Sequence, residues 1–301
     1  MNIFLYVATV LIWGSTWFAI EFQLGEAPIL VSLVYRWGLA AALMWGFCLI
    51  RRLPMQFSLR NHGFIALMAI FNFGLNYLLV YWAQVYLTSA MTSIAFTTMV
   101  LMNIVNMRIF FGQRISLITC FGAVVGVAGI MSLFWLDIRD VNIDGESLKG
   151  LGLALSGALL ASLGNMVSIR NSRLNLPVLQ VNAWGMMYGA LLMALVAMAF
   201  DTSFMLPTKI DYWVSLIYLA LFGSVLAFAC YFTLLKRIDP NKASYASVLY
   251  PGVAVILSTL FEGFEWTSYV VLGFVLVAIG NVIVITPRGV LVRTLSYLRL
   301  R

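Results

Sequence analysis

Apolar residues in this chain are grouped into ten segments of about 20 residues, separated by short polar stretches. A helix needs roughly 20 apolar residues to cross the hydrocarbon core of a bilayer. Irregular backbone facing lipid would leave amide groups without hydrogen bonds, so segments this long have to be helices. The pattern therefore predicts an all-α membrane protein with ten transmembrane helices. The predicted spans lie near residues 3–20, 28–50, 63–86, 90–110, 117–135, 149–169, 178–199, 213–235, 243–261 and 267–286.

The charged residues of the loops alternate between acidic and basic along the chain. Glu21 and Glu26 follow the first span, Arg51, Arg52 and Arg60 follow the second, and the alternation continues to the C-terminus. Lys and Arg accumulate in the cytoplasmic loops of membrane proteins. The loop charges therefore predict a multi-pass protein of the bacterial inner membrane with both termini in the cytoplasm.

Composition supports the membrane assignment and narrows the partners. Apolar residues make up 63% of the chain and charged residues 10%, which excludes an ordinary soluble domain. The net charge of +7 is spread over short loops, so topology accounts for it and no nucleic-acid partner is expected. The three cysteines fall in predicted spans and indicate no disulfide framework. The basic cytoplasmic tail, residues 287–301, is predicted to lie on the membrane surface or to be disordered.

The two halves of the chain share marks that recur about 150 residues apart. The acidic linker of residues 136–147 separates a first five-helix repeat, 1–138, from a second, 145–286. Because each half has an odd number of spans, the second copy is predicted to be inverted. Inverted repeats are typical of transporters that hold substrate near the middle of the membrane. The matched marks are Phe73-Gly74 with Phe222-Gly223, Gly122 with Gly273, Gly129 with Gly280, and Gly112 with Gly263.

Several short motifs occur in an order and spacing that match a known family. They are Trp13-Gly14-Ser15, Pro28, Arg36, Ala40-Ala41-Ala42 and Tyr250-Pro251. With them the chain resembles the EamA-domain branch of the drug/metabolite transporter superfamily, and within it the YddG-type exporters of aromatic and other amino acids. The resemblance implies export by alternating access. Two departures, Thr98-Met99 in place of a proline and Gln113-Arg114 in place of a Glu-Arg pair, predict asymmetric movement of the halves.

Aromatic and polar side chains at mid-membrane depth indicate a substrate path, because positions facing hydrocarbon gain nothing from amide groups. We expect them to form a neutral, aromatic and hydrogen-bonding cavity wall. The alternative is that the amides hold helices together and that Trp and Tyr mark the membrane interfaces. The candidate substrate-binding residues are Trp13, Trp17, Asn76, Tyr77, Tyr81, Thr97, Asn103, Asn165, Trp184, Tyr231, Tyr245 and Tyr250.

Two further residues lie where a span tolerates them poorly. Arg36 is inside the second span, where an arginine costs about 2.5–3.5 kcal/mol on insertion and needs a partner or water. It either reaches outward toward Glu21 or Glu26, or it binds a substrate carboxylate in a wet cavity and is then a secondary site residue. Pro251 interrupts the hydrogen bonding of the ninth span and is predicted to act as a hinge.

The groups that usually carry protons or bind nucleotides are absent from the predicted spans. No carboxylate lies in a span, and the single histidine, His62, is predicted to lie in a cytoplasmic loop. No ATP-binding loop, metal motif or catalytic dyad is present, so we expect neither a cofactor nor an enzyme. We predict a monomeric carrier that exports amino acids, including aromatic ones, and related neutral metabolites by facilitated diffusion. The alternatives are a proton-coupled multidrug or nucleoside exporter that uses Glu21, Glu262 or Glu265, and a channel.

Overall fold

The computed structural model describes residues 2–136, 145–235, 237 and 246–286. Its regular structure is helical, and the described residues contain no β-strand. The basic tail and the centre of the acidic linker lie outside them. The α-helices are α1 (Asn2–Glu21), α2 (Ile29–Ile50), α3 (Leu59–Ala69), α4 (Asn76–Gln84), α5 (Ser89–Phe96), α6 (Met99–Phe111), α7 (Leu117–Leu133), α8 (Glu146–Arg173), α9 (Val178–Ala199), α10 (Ile210–Ile217), α11 (Ala227–Leu235), α12 (Ala246–Phe261) and α13 (Ser268–Ile285).

The all-α prediction is confirmed for the described part of the chain, and the helices have the character of membrane spans. Seven helical stretches are long and apolar enough to cross a bilayer. Three shorter apolar stretches, Leu117–Leu133, Ile210–Leu226 and Leu249–Phe261, lie where further spans are predicted. Large apolar side chains such as Leu195 and Leu260 remain exposed, as expected on a surface that faces lipid. The number of ten spans stays a prediction.

Two of the predicted spans are not continuous α-helices. A π-helical segment, Ile70–Leu75, joins α3 to α4, and a second one, Tyr218–Leu226, joins α10 to α11. Each contains one of the two matched Phe-Gly pairs. A π-helical turn inserts extra backbone and rotates the side chains that follow it, and such turns are frequent at functional sites. The faces of α4 and α11 therefore differ from those that a uniform helix would present.

The fourth predicted span is also interrupted, between α5 and α6. The hydroxyl groups of Thr97 and Thr98 donate hydrogen bonds to the carbonyl oxygens of Ile94 and Ala95, at 2.7 and 2.8 Å. Hydroxyl groups that bond back to the preceding turn compete with the helix and often bend it. Thr97, a candidate substrate residue, thus uses its hydroxyl to end α5.

Helices α7 and α13 pack closely through glycines. A Cβ atom added to Gly129 would lie 2.8 Å from the carbonyl oxygen of Gly273, and one added to Gly280 would lie 2.7 Å from that of Gly122. Small residues allow such close approach of helix backbones in membranes. The contact is reciprocal, because Gly122 near the start of α7 meets Gly280 of α13, and Gly273 near the start of α13 meets Gly129 of α7.

Helices α2 and α9 are alike in their length and in the residue that precedes them. Each has 22 residues and begins directly after a proline, Pro28 or Pro177. A proline suits this position because the first helical turn has no use for its missing N–H. The two helices pack against each other. Between α2, α9 and the first π-helical segment lies the main apolar core, which contains the fully buried Trp37 and Tyr81.

Candidate functional site

A buried arginine is the centre of the first candidate site. Arg36, on α2, is only 2% exposed. Its Nη1 donates a hydrogen bond of 3.1 Å to the hydroxyl oxygen of Tyr81, and that hydroxyl donates to Oε1 of Gln23 at 2.7 Å. The guanidinium carbon lies 4.7 Å from the ring centroid of Tyr77 and 4.9 Å from that of Trp37. We call Gln23, Arg36, Trp37, Tyr77 and Tyr81 the Arg36 network.

Aromatic rings and a hydroxyl group hold the charge of this arginine. A desolvated cation over an aromatic face is stabilised by about 2 kcal/mol. Among the described residues, no carboxylate oxygen lies within 4.0 Å of Arg36. Glu26 instead pairs with Lys209, and its hydrogen bond and charge raise the pKa of that lysine. The expected outward pairing of Arg36 with Glu21 or Glu26 is therefore wrong in this structure.

Several polar atoms in and beside the Arg36 network have no hydrogen-bond partner in the part of the chain that the structure describes. They are Nε of Arg36, Nε1 of Trp37, Nε2 of Gln23 and Oδ1 of the adjacent Asn76. Leaving such a buried group without a partner costs about 1–3 kcal/mol. The arginine and tryptophan atoms can only donate. A ligand rich in acceptor oxygens, such as a carboxylate, complements them.

An aromatic cluster forms the second candidate site, where the N-terminal and C-terminal halves of the chain meet. The ring centroid of Trp13, on α1, lies 5.2 Å from Phe228, 5.2 Å from Tyr231 and 5.4 Å from Tyr250. Its Nε1 donates to the carbonyl oxygen of Gly223 at 3.1 Å. Aromatic pairs of this kind contribute about 0.5–1.5 kcal/mol beyond their buried area. We call Trp13, Phe228, Tyr231 and Tyr250 the Trp13 cluster.

The two residues after Trp13 complete the contact between the halves. A Cβ atom on Gly14 would lie 2.5 Å from Cβ of Val253, so only glycine permits this approach of α1 to α12 without a shift. The hydroxyl oxygens of Ser15 and Tyr218 are 2.6 Å apart and share a hydrogen bond. Each residue of the Trp-Gly-Ser motif thus contacts the second half in a different way.

Trp17 lies between the two sites. It is one turn after Trp13 on the same face of α1, and its ring centroid is 5.1 Å from that of Phe96. Its carbonyl oxygen accepts a hydrogen bond of 2.9 Å from Nε2 of Gln84. Gln84 follows Tyr81 by three positions on α4, so the two side chains share a helix face. Trp17 therefore contacts α4, the helix that carries Tyr81 of the Arg36 network, and lies one turn from Trp13 on α1.

Asparagine side chains of the third and fourth predicted spans form hydrogen bonds with side chains of α8. Such bonds between helices are the packing role that the sequence left as an alternative. Asn76 packs against Gly157, and its Oδ1 has no hydrogen-bond partner among the described residues. The amide contacts are Asn103 with Asn165 at 3.3 Å, Asn106 with Ser162 at 2.8 Å, and Asn72 with Ser168 at 3.4 Å.

Trp184 lies in a separate aromatic group. Its ring contacts those of Trp45, His62 and Tyr188, and its Nε1 donates to the carbonyl oxygen of Met55 at 2.9 Å. His62 itself lies in the first turn of α3, with a ring nitrogen 2.8 Å from the Tyr188 hydroxyl. The loop position predicted for this histidine is therefore wrong.

Two other candidates have different outcomes. Tyr245 lies outside the described residues. Pro251 is buried inside α12, in the middle of a helix as expected, while its role as a hinge stays a prediction. Four residues in or beside the two sites were not foreseen: Gln23 and Gln84 lie at span ends, and Trp37 and Phe228 were hidden among many apolar residues. The available signal for Trp37 was that it follows Arg36, a charged residue well inside a span.

A carboxylate joins the halves at the end of α12. Glu262 accepts hydrogen bonds from the backbone N–H and the hydroxyl of Ser89, at 2.9 and 2.6 Å, and from the hydroxyl of Ser258, at 2.6 Å. Ser89 begins α5, where the helix dipole favours a negative charge. We call these three residues the Glu262 bridge. Among the described residues, no group of three or more His, Cys, Asp or Glu could hold a metal ion.

Comparison with known proteins extends over nearly the whole chain. The model of the EamA-like transporter family matches residues 1–135 and 148–286, one match for each half. The uncharacterized inner membrane transporter YedA of Escherichia coli K12 is 28% identical, over 91% of this chain and 89% of its own. The uncharacterized transporter YoaV of Bacillus subtilis is 24% identical, over 91% and 93%. Protein PagO of Salmonella typhimurium is 20% identical, over 95% and 93%.

A solved structure, described only as the crystal structure of a protein, has the same fold. It matches with a TM-score of 0.67 over 94% of this chain and 96% of its own, at 18% identity. At that identity the likeness concerns the fold alone.

Proposed function

We propose that this chain, which belongs to the EamA-like transporter family, is an inner-membrane carrier that exports amino acids, including aromatic ones, and related neutral metabolites. The observation that carries the proposal is the buried Arg36, which has no carboxylate partner among the described residues, while its Nε and the neighbouring Trp37 Nε1 have no hydrogen-bond acceptor among them. A charged group in a membrane span is expensive and marks a substrate path or a partner. Every amino acid carries the carboxylate that such an arginine recognises.

In this proposal the substrate is recognised at two points. Its carboxylate binds Arg36 and the indole N–H of Trp37 through charge-assisted hydrogen bonds, which are about twice as strong as neutral ones. Its side chain extends along Trp17 toward the Trp13 cluster, where aromatic side chains gain from ring contacts. The rings of the Arg36 network exclude water and strengthen the first interaction.

The proposed architecture is a pair of inverted five-helix repeats, 1–138 and 145–286, with both termini in the cytoplasm. It is supported by the two separate family matches, by the π-helical segment in each half, and by the reciprocal glycine contacts between α7 and α13. A two-fold axis between the repeats generates reciprocal contacts of this kind. Substrate then binds where the repeats meet.

Alternating access follows from separating the halves at one end at a time. With the proposed topology, the Glu262 bridge closes the outer end, and the Trp13 cluster closes the path toward the cytoplasm. The bridge joins α5 to α12 by hydrogen bonds, and the cluster joins α1 to α11 and α12 by ring contacts. Movement of α12 about Pro251 is proposed to open each end in turn.

Transport is proposed to be facilitated diffusion, without proton coupling. Glu262, one of the three acidic residues that could carry a proton, has its carboxylate satisfied by three donors, two of which belong to Ser89 in the other half. These bonds support a structural role for it. The alternative hypothesis is a proton-coupled exporter in which protonation of Glu262 breaks the Glu262 bridge.

The test is counterflow in proteoliposomes that contain only the purified protein. Liposomes preloaded with phenylalanine or alanine should accumulate labelled phenylalanine transiently, whereas liposomes preloaded with phenylalaninamide, which lacks the carboxylate, should not. Flux that neither saturates nor responds to the trans substrate would indicate a channel. Exchange with phenylalaninamide as fast as with phenylalanine would contradict carboxylate recognition.

A further inference from the structure

Two arginines at one end of the molecule have their guanidinium groups over aromatic rings. The guanidinium carbon of Arg170 lies 3.6 Å from the ring centroid of Phe64, and that of Arg173 lies 4.1 Å from the ring centroid of Phe111. Nη1 of Arg170 also donates to Oδ1 of Asn171 at 3.0 Å. Both arginines lie in the last turn of α8. Their planes are fixed by these contacts before any ligand binds.

A third arginine, Arg60 in the first turn of α3, faces the same space. Arg60, Phe111, Arg170, Arg173 and Leu174 line an open cleft of about 330 Å³. Among the described residues, no carboxylate oxygen lies within 4.0 Å of any of the three arginines. The cleft therefore concentrates positive charge that the described part of the protein does not neutralise.

Membrane topology alone does not require such a cleft. Positive residues that fix orientation work equally well when they are exposed and line no cleft given by the structure, as Arg51 and Arg52 are on the loop after α2. Here three like charges share one small space, although their mutual repulsion is unfavourable unless an anion joins them. The planar guanidinium groups match the geometry of phosphate oxygens.

We propose that this cleft is a binding site for a phosphate group, supplied by the headgroup of an anionic lipid. The chemistry alone would equally accept free phosphate. The surroundings favour the lipid, because Phe110 and Ile109 on α6 and Leu174 beside the arginines are apolar and mostly exposed. Acyl chains can lie along that surface while the headgroup occupies the cleft. Basic pockets between transmembrane helices are suited to this role.

The experiment uses the full-length, delipidated protein in detergent and native mass spectrometry. Phosphatidylglycerol is titrated into the wild type, into R170Q/R173Q and into the matched control R51Q/R52Q, which loses the same charge elsewhere. Each arginine near anionic lipid contributes about fivefold in affinity. We expect R170Q/R173Q to bind the first lipid about 25-fold more weakly, and the control to bind it like the wild type.

A conservative variant and two further ligands make the result specific. R170K/R173K keeps the charge but loses the planar fork, so its affinity should lie between those of the wild type and R170Q/R173Q. Phosphatidylcholine should bind weakly to all forms. Competition by inorganic phosphate at millimolar concentration would assign the site to free phosphate, and no competition would assign it to the lipid headgroup. Equal losses in R170Q/R173Q and R51Q/R52Q would overturn the site.

Discussion

The Arg36 network and the Trp13 cluster are held together by different kinds of contact, and they draw their residues from different parts of the chain. The Arg36 network lies entirely in the first half and is held by hydrogen bonds and cation–π contacts. The Trp13 cluster joins the two halves and is held almost wholly by ring contacts. One region carries a charge and unpaired donors, whereas the other carries neither a charge nor a described unpaired donor.

In the proposed mechanism this difference separates two tasks. A carboxylate is common to all amino acids, so its binding to Arg36 would give affinity without choosing among them. Ring contacts depend on the side chain, so the Trp13 cluster would give preference for aromatic substrates. Because the Trp13 cluster spans the interface between the halves, we expect it to change when they move, while the Arg36 network moves with one half.

The largest expected effect is that of Arg36→Gln on every carboxylated substrate. Hydrogen bonds to charged groups contribute about 1.5–3 kcal/mol, so kcat/KM should fall about 10- to 150-fold for phenylalanine and alanine alike. Proteoliposome exchange at matched protein content measures it. Arg36→Lys keeps the charge and should recover part of the loss. A variant with normal exchange per folded molecule but low abundance would mean that Arg36 is structural.

A smaller effect, opposite in selectivity, is expected for Trp13→Leu. The loss of ring contacts should weaken phenylalanine exchange about two- to twelvefold more than alanine exchange. Trp184→Leu is the matched control, because its aromatic group lies elsewhere, and it should leave the ratio of the two substrates unchanged. Equal losses for both substrates in Trp13→Leu would show that the cluster only holds the halves together.

A still smaller effect is expected for Tyr81→Phe, which removes one hydroxyl group from the Arg36 network. Arg36 and Gln23 each lose a hydrogen bond to that hydroxyl. A single hydrogen bond contributes about 1 kcal/mol, so affinity for all amino acids should fall about fivefold. Isothermal titration of the purified protein measures it. An unchanged affinity would remove Tyr81 from the site.

No effect is expected from a protonophore in proteoliposomes. The carboxylate of Glu262 is bound by donors from both halves, so exchange should persist when the pH gradient and the membrane potential are collapsed. Glu262→Gln should remain equally insensitive to the protonophore. Complete loss of flux in the wild type would favour the proton-coupled exporter.

Sequence reasoning predicted the apolar helices because their physical requirement is local. About 20 apolar residues in a row are visible in any window, and the αL glycines, Gly112 and Gly263, recur because each follows the end of a helix at a similar place. The π-helical segments were not foreseen, since no residue type demands them. They rotate the faces of α4 and α11, which a uniform helical period cannot predict.

Sequence reasoning named only some residues of the two regions, for a related reason. Trp13, Tyr77 and Tyr81 lie in the two regions, and Trp17 lies one turn from Trp13, because large aromatic side chains inside spans have few alternatives to clustering. Trp184 has the same composition signal but packs elsewhere, and only tertiary contacts separate it from the others.

The central claim is that Arg36 binds the substrate carboxylate. Its most direct test is a binding cycle with two proteins and two ligands. Titration calorimetry would give Kd for phenylalanine and for phenylalaninamide with the wild type and with Arg36→Gln. We expect the wild type to prefer the acid by about 10- to 150-fold, and the variant to show no preference. A preference that survives in the folded variant would contradict the account.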